Sequence, residues 1–283
     1  MATRGQGPDF IEALARGLDV IRAFAPEKPA MSLSEVATAA HLARPTARRI
    51  LLTLGELGYV RIAGGAHTLT PRVLELGMAY VGSLGMWEIA RPHMQQLVEK
   101  TGESSSMAQL DGSDIVYVAR VAVPKLVGLR VEIGTRFPAL STSQGKVLLA
   151  ALRDDEALAA LAQPSRSGLP VPVYSPDEAL RILNEARARK WAIADEELAP
   201  GVRSVAVPVT DNDGSVRATM NVTVHAAETS LSTLIDEYLP ALQVAAEATS
   251  RDWALRQSRP VFDSKRRGQQ FSGLSGLESS RTT

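Results

Sequence analysis

The segment Ser32–Leu57 constrains this chain most, because it specifies two helices, the turn between them and a basic face in a short stretch. Ser32-Leu33-Ser34-Glu35 is a capping box: the Ser32 hydroxyl can accept from the amide of residue 35 while the Glu35 side chain reaches back. A helix of about eight residues should follow, burying Leu33, Val36 and Ala37. His41-Leu42-Ala43 then connects to a helix opening with Arg44-Pro45, where the donor that proline lacks would have been unpaired anyway. Ala47, Ile50, Leu51, Leu54 and Leu57 form its apolar stripe, leaving Arg44, Thr46, Arg48, Arg49 and Thr53 off it. An earlier amphipathic helix is expected from Phe10, Leu14, Leu18 and Ile21, ending near Pro26. After Gly58, Tyr59-Val60-Arg61-Ile62 reads as a strand, and Gly64-Gly65 turns it into His67-Thr68-Leu69-Thr70. Three helices followed by a two-stranded wing make a winged helix-turn-helix over residues 10–70.

Groove geometry gives that pattern a chemistry. A helix fits the DNA major groove, where Arg grips guanine or neutralises phosphate and Thr suits either partner. Thr46, Arg48 and Arg49 are expected in the groove and Arg44 at its entrance. Ser34, Arg61 and His67 are expected on phosphates, which position a protein without specifying sequence. The competing reading of each arginine is a solvated helix face.

The net charge of +0 conceals an asymmetry. Residues 1–72 carry 9 Lys/Arg against 6 Asp/Glu, residues 73–255 carry 16 against 23, and residues 256–283 carry 6 against 2. A basic module on an acidic body suits a polyanion bound at one end. The chain has no Cys, which excludes disulfides and thiolate metal sites. Its four His residues, 41, 67, 93 and 225, have no metal-ligand spacing, so neither a metal nor a cofactor is expected. Met1–Phe10 has no signal-peptide core and no apolar run reaches membrane-span length, so a cytoplasmic location away from membranes is expected.

The body follows a linker helix over 71–85, carrying Val73, Leu76, Gly77, Tyr80 and Leu84, whose apolar face needs a partner. Residues 86–255 read as a second domain: a helix from Met86, a hairpin turning at Asp111-Gly112, and a third strand over 126–131. The stretch 134–138 reads as a connection to helices at 143–152 and 154–161. Ser175-Pro176-Asp177-Glu178 is a second capping box, and strands at 191–194, 204–210 and 216–224 precede a long helix from Ser230. The fold class expected is α+β, with a mostly antiparallel sheet. The Ser-, Gly- and Arg-rich residues 256–283 are expected to be a disordered tail.

Taken together these segments resemble the IclR family of bacterial transcription factors over about residues 10–255. The residues that carry the likeness are Ala15-Arg16-Gly17-Leu18, the helix-turn-helix, Thr142–Ala150 with Gly145-Lys146, and Asp195-Glu196-Glu197 through Gly201-Val202-Arg203-Ser204-Val205-Ala206. Val116–Val121 and Gly134-Thr135-Arg136 look closest to the subgroup controlling protocatechuate and β-ketoadipate pathway genes. The resemblance implies a GAF-like effector domain for a small organic acid, often an aromatic carboxylate such as protocatechuate. It also implies homodimers pairing into tetramers, palindromic double-stranded operators, and possible contact with RNA polymerase. By position it carries effector contacts onto Ser143, Gln144, Ser204, Asn221 and Thr223. Ala194 stands where many members have an acid before the Asp-Glu-Glu run, which fits a less polar ligand. Arg130 and Arg136 are added as carboxylate partners because guanidinium pairs with carboxylate through two hydrogen bonds; each could equally be a salt-bridge residue.

Two other readings compete. Ser143-Gln144-Gly145-Lys146 matches the Ser-x-x-Lys of penicillin-recognising hydrolases, but their Lys-Thr-Gly is absent and a serine at a helix start is more often a cap. No catalytic residues, and hence no enzyme, are expected. A structural DNA-binding protein without a ligand is the other alternative, and the size of the second domain argues against it.

Overall fold

The computed structural model describes residues 7–25, 27–77, 85–124 and 131–257, and the chain divides into two compact units between Trp87 and Glu88. The first contains α1 (Glu12–Arg22), β1 (Ala30–Met31), α2 (Leu33–Ala39), α3 (Arg44–Glu56), β2 (Val60–Ala63) and β3 (Ala66–Leu69). The Ser32 capping box forms: Glu35 N donates to Ser32 Oγ at 3.3 Å, and Ser32 N donates to the Glu35 carboxylate at 2.8 Å. Val20, Met31, Val36, Leu51, Leu54 and Val60 close a small core. Gly64 and Gly65 both have positive φ, +59° and +82°, the backbone that a two-residue hairpin turn demands.

Three details differ from expectation. The wing has three strands in the order β1-β3-β2, because Ala30 and Met31 pair with Thr68 and His67. A two-residue strand is too short to show alternation, and buried Met31 anchors it from the core side. Of the expected stripe, Phe10, which precedes α1, and Leu14 and Leu18 within it are 41%, 63% and 47% exposed, while Ile21 packs on the core and Val20 is the residue of α1 fully buried. On α3, Leu57 is exposed because it is the capping residue beyond the last helical turn. After Thr70, a 3-10 turn (Pro71–Val73) leads into helical residues 74–77; Tyr80 and Leu84 of the expected linker helix lie outside the described residues.

Past α4 (Met86–Thr101), the second unit is built on one antiparallel sheet. Its strands are β4 (Ser104–Asp111), β5 (Asp114–Val121), β6 (Arg136–Pro138), β7 (Ala192–Asp195), β8 (Val202–Thr210) and β9 (Val216–His225), in the order β6-β5-β4-β9-β8-β7. The helices are α5 (Ser143–Ala150), α6 (Asp154–Leu161), α7 (Pro176–Arg189) and α8 (Leu239–Gln257), the last preceded by a π turn (Leu234–Tyr238). α5 lies across β4, β7, β8 and β9 and packs on α7, while α8 packs against β8 and β9. The architecture is α+β, as expected.

The strand expected over 126–131 falls almost wholly outside the described residues, and Val131 itself is not in a strand. The strand found nearby is β6, within the stretch read as a connection, where Phe137 and Pro138 are buried. The last helix runs to Gln257, so Arg256 belongs to it rather than to a tail; residues 258–283 lie outside the described set.

Register decides which side chains meet. Side chains alternate between the faces of a sheet, and pairing places Ala194 beside Ser204, Ser204 beside Thr223, Ala206 beside Asn221, and Asn221 beside Ser106. Along β5 the register slips: Met107 pairs with Ala119, but Ala108 pairs with Tyr117, leaving Val118 as the extra residue of a bulge. The bulge puts Tyr117 and Arg120 on the same face, which Phe137 extends from β6 opposite Ile115. That face, with α5 across it, is the floor of a cavity.

Candidate functional site

In the first unit, α3 presents the expected basic face. Ala47, Leu51 and Leu54 are buried, and Arg44, Arg48 and Arg49 are exposed. Among the described residues those three guanidinium groups make no ion pair, whereas Arg16 and Arg72 of the same unit pair with Glu12 and Glu75. Thr46 is half-buried beside them, and Ser34 is exposed on α2. In the wing, Arg61 Nε donates to Thr68 Oγ1 across the strand pair at 3.2 Å, and its side chain is exposed. His67 is half-buried, with Nδ1 3.4 Å from the Met31 carbonyl, so one ring nitrogen faces the body of the unit.

In the second unit a cavity of about 260 Å³ opens between the sheet face and the first turn of α5. It brings together Ser143, Gln144, Ser204, Asn221 and Thr223, all five of the positions carried over from the family. Thr142 caps α5 by accepting from Gly145 N at 3.0 Å, which aims the helix's first turn at the cavity. The first amides of a helix have no intrahelical acceptor, and the helix dipole favours an anion there. Gly145 is required for this placement, because a Cβ would overlap the backbone of Ala139. Ser143 and Ser204 share a hydrogen bond of 2.7 Å. Gln144 Nε2 donates to the carbonyls of Ser106 and Thr219, at 3.1 and 3.3 Å, while its buried Oε1 has no partner among the described residues. Asn221 Oδ1 accepts from Ser106 N at 2.9 Å, and its Nδ2 donates to Thr223 at 3.0 Å.

Alternation along β6 separates Arg136 from this cavity, because Phe137 takes the cavity face and Arg136 the other. The Arg136 guanidinium is bound to Asp111 at 2.8 Å and to buried Asp114 at 3.2 Å, so it serves the hairpin rather than the cavity. Arg130 lies outside the described residues.

The cation that does line the cavity is Arg120, with Tyr117 and Phe137 beside it. Arg120 Nη1 donates to Ser106 Oγ at 2.9 Å, and among the described residues it pairs with no carboxylate. Partial burial pulls its pKa below the ordinary value, opposed by Tyr117. Burial pushes the Tyr117 phenol up to about 12, partly offset by the Arg120 charge and a hydrogen bond with Asn221. The two rings of Tyr117 and Phe137 meet edge to face, 5.6 Å between centroids, and Ala194 and Leu198 add apolar wall. Strict alternation would put Tyr117 and Arg120 on opposite faces, so no sequence signal marks Arg120 as a cavity residue.

Lys146, three residues after Ser143, donates to the Ile193 carbonyl at 2.8 Å and to Glu197 at 2.6 Å. It is therefore a structural cross-link from α5 to β7 and the chain just after it, not a base held against the Ser143 hydroxyl. No group of His, Asp or Glu that could hold a metal occurs among the described residues, and none of their helices is long and apolar enough to cross a membrane.

A basic helix with its wing, joined in one chain to a cavity of this kind, defines a ligand-responsive DNA-binding regulator. Residues 13–62 match the IclR helix-turn-helix domain, and residues 78–251 match the C-terminal domain of bacterial IclR transcriptional regulators. The chain belongs to the IclR family. It is 36% identical to the Pca regulon regulatory protein of Pseudomonas putida, over 84% of this chain and 83% of that one. That likeness agrees with the protocatechuate-pathway subgroup that the sequence resembles. Its fold matches the crystal structure of a protein from Rhodococcus sp. RHA1 assigned as a transcriptional regulator (TM-score 0.74, 43% identity, 87% of this chain and 100% of that one). It also matches an IclR homolog from Microbacterium hydrocarbonoxydans complexed with 4-hydroxybenzoate (TM-score 0.72, 24% identity, 87% and 100%); that likeness is one of fold.

Proposed function

We propose that this regulator binds a palindromic operator through residues 10–70 and senses a small aromatic carboxylate, such as protocatechuate, through residues 86–255, with residues 71–85 linking the two. The observation that carries the effector class is Arg120: a partly buried cation without a carboxylate partner among the described residues, in a cavity walled by Tyr117 and Phe137. A carboxylate satisfies that charge and the first turn of α5, a ring fills the apolar wall, and ring hydroxyls suit the Ser143–Ser204 pair. The Microbacterium homolog, alike in fold, holds an acid of this class. The cavity takes no resident cofactor in this reading.

On DNA, Thr46, Arg48 and Arg49 enter the major groove and Arg44 lies at its edge, while Ser34, Arg61 and His67 meet phosphates. That the three α3 arginines make no ion pair among the described residues supports this. A palindrome requires a second copy, and the exposed Phe10, Ile11, Leu14 and Leu18 of the first unit supply an apolar surface for a homodimer, or a dimer within a tetramer. The protein acts in the cytoplasm, where the operator lies, and contact with RNA polymerase would couple binding to transcription. It has no catalytic function; the locked Lys146 supports that.

Thermal-shift titration with protocatechuate and 4-hydroxybenzoate, beside a non-aromatic acid, tests the sensing half. A sensor is stabilised by its ligand, so absence of any shift with aromatic acids sinks the effector reading. Anisotropy of labelled DNA from the adjacent promoter, with and without the acid, tests the coupling.

A further inference from the structure

The cavity that Arg120 lines has a second polar end, at His225. Asn221, Thr223 and His225 alternate onto one face of β9, and all three line the cavity. The Arg120 guanidinium is held on Ser106, which pairs with Asn221, so the cation stands at the Asn221 end. His225 is four residues further along the strand, a run of about 13 Å.

Local geometry fixes which ring nitrogen is available there. The amide of Ala227 donates to His225 Nδ1 at 3.2 Å, so the neutral ring carries its proton on Nε2. Nε2 has no hydrogen-bond partner among the described residues and, unlike Gln144 Oε1, is not sealed in the interior. The half-buried ring rests against Gly201, another lining residue, where a Cβ would stand 3.0 Å from Nε2. Buried Glu103 also lines the cavity, next to Ser104, which pairs with Thr223, so this end already holds a carboxyl group. A second anion is disfavoured beside it, whereas a neutral hydroxyl is not.

We propose that His225 is a specificity-determining residue, whose Nε2–H donates to an oxygen para to the carboxylate of the aromatic acid while the carboxylate lies at Arg120. A para-hydroxylated benzoate with a hydrogen bond at each end spans about 12 Å, comparable with the run of strand between the two ends. The proposal rests on the aromatic-acid reading of this cavity and adds which ring substituent is recognised, and by which atom.

Calorimetric titration of the full chain with benzoate, 3-hydroxybenzoate and 4-hydroxybenzoate is the test. The parent should bind 4-hydroxybenzoate about two- to tenfold tighter than benzoate, the worth of one hydrogen bond. His225→Asn keeps an oxygen that accepts from the amide two residues on, as asparagine does in turns, but falls short of the Nε2 position. It should lose the preference for the para hydroxyl and bind benzoate and 3-hydroxybenzoate as the parent does. His225→Gln reaches the Nε2 position with an amide donor but gives up the Ala227 bond, and should keep part of the preference. A purely structural role would harm His225→Gln more than His225→Asn and would weaken all three acids together; either pattern overturns the proposal. Equal affinity of the parent for benzoate and 4-hydroxybenzoate overturns it, as does a preference undiminished in His225→Asn, and in both cases the aromatic-acid reading survives. If none of the three acids binds, that reading falls and this one with it. Should His225→Asn fail to fold, His225→Phe, which fills the space without a donor, carries the same expectation.

Discussion

Tyr117 and Arg120 stand on the same face of the sheet although three positions separate them, because β5 bulges at Val118 where Ala108 pairs with Tyr117 and Met107 with Ala119. The bulge brings an aromatic wall and a cation with no carboxylate partner among the described residues into one cavity, and most of the functional reading of the second unit rests on it.

Arg120→Ala should weaken binding of protocatechuate or 4-hydroxybenzoate about ten- to hundredfold, the range for losing a charged hydrogen bond. Because the one side-chain hydrogen bond of Arg120 among the described residues is to Ser106 Oγ, the thermal midpoint without ligand should move little. Calorimetry checks both, and full retention of acid affinity would rule Arg120 out as the anchor.

Arg136→Ala should show the reverse. Its removal leaves buried Asp114 with Ser165 and the amide of Arg166 as partners but no cation, at a cost of about 2–3 kcal/mol. Denaturant unfolding should register that loss, while acid affinity remains at the parent value.

Gly145→Ala should destabilise the second unit by about 2 kcal/mol or more, because the added methyl meets the Ala139 backbone rather than a mobile side chain. The close approach of α5 to the 139–141 turn admits no Cβ. A chemical-denaturation midpoint equal to that of the parent would contradict this account.

Arg48→Ala should weaken operator binding and flatten its dependence on salt by about one unit of log–log slope if the guanidinium neutralises a phosphate. If it instead grips a guanine, affinity should fall at cognate sites while nonspecific binding stays the same. Titrations at several salt concentrations separate the two; no change in either would remove Arg48 from the interface.

The phenol of Tyr117 should titrate near pH 12 in the folded protein, against about 10 when unfolded. The unfolded chain then loses its proton first, so this group's contribution to stability is complete below pH 10 and falls as pH rises from 10 towards 12. The loss is on the order of 2–3 kcal/mol. Ultraviolet titration of the parent against Tyr117→Phe should reveal one late-ionising tyrosine; its absence would mean the ring is solvated.

Local signals carried the first unit far. The Ser32 cap, Pro45 at a helix start and Gly64-Gly65 at positive φ each act within a few residues, so their structures follow from neighbouring chemistry. They missed β1, whose two residues hold no periodicity, and the outward stripe of α1, because a period identifies an apolar face without saying what covers it. In the second unit, family resemblance located Ser143, Gln144, Ser204, Asn221 and Thr223, which the fold gathers from α5, β8 and β9.

What the sequence determined by itself is the helix-turn-helix with its basic face, the α+β class, and the absence of cysteine chemistry. These depend on residue type and short-range spacing. Tertiary structure alone decided which arginine enters the cavity. Arg136 is turned away by strand alternation into an ion pair with Asp114, and Arg120 is turned inward by a bulge, which exists only in the pairing of β4 with β5. A register shift is a property of two strands together, so neither strand's residues announce it.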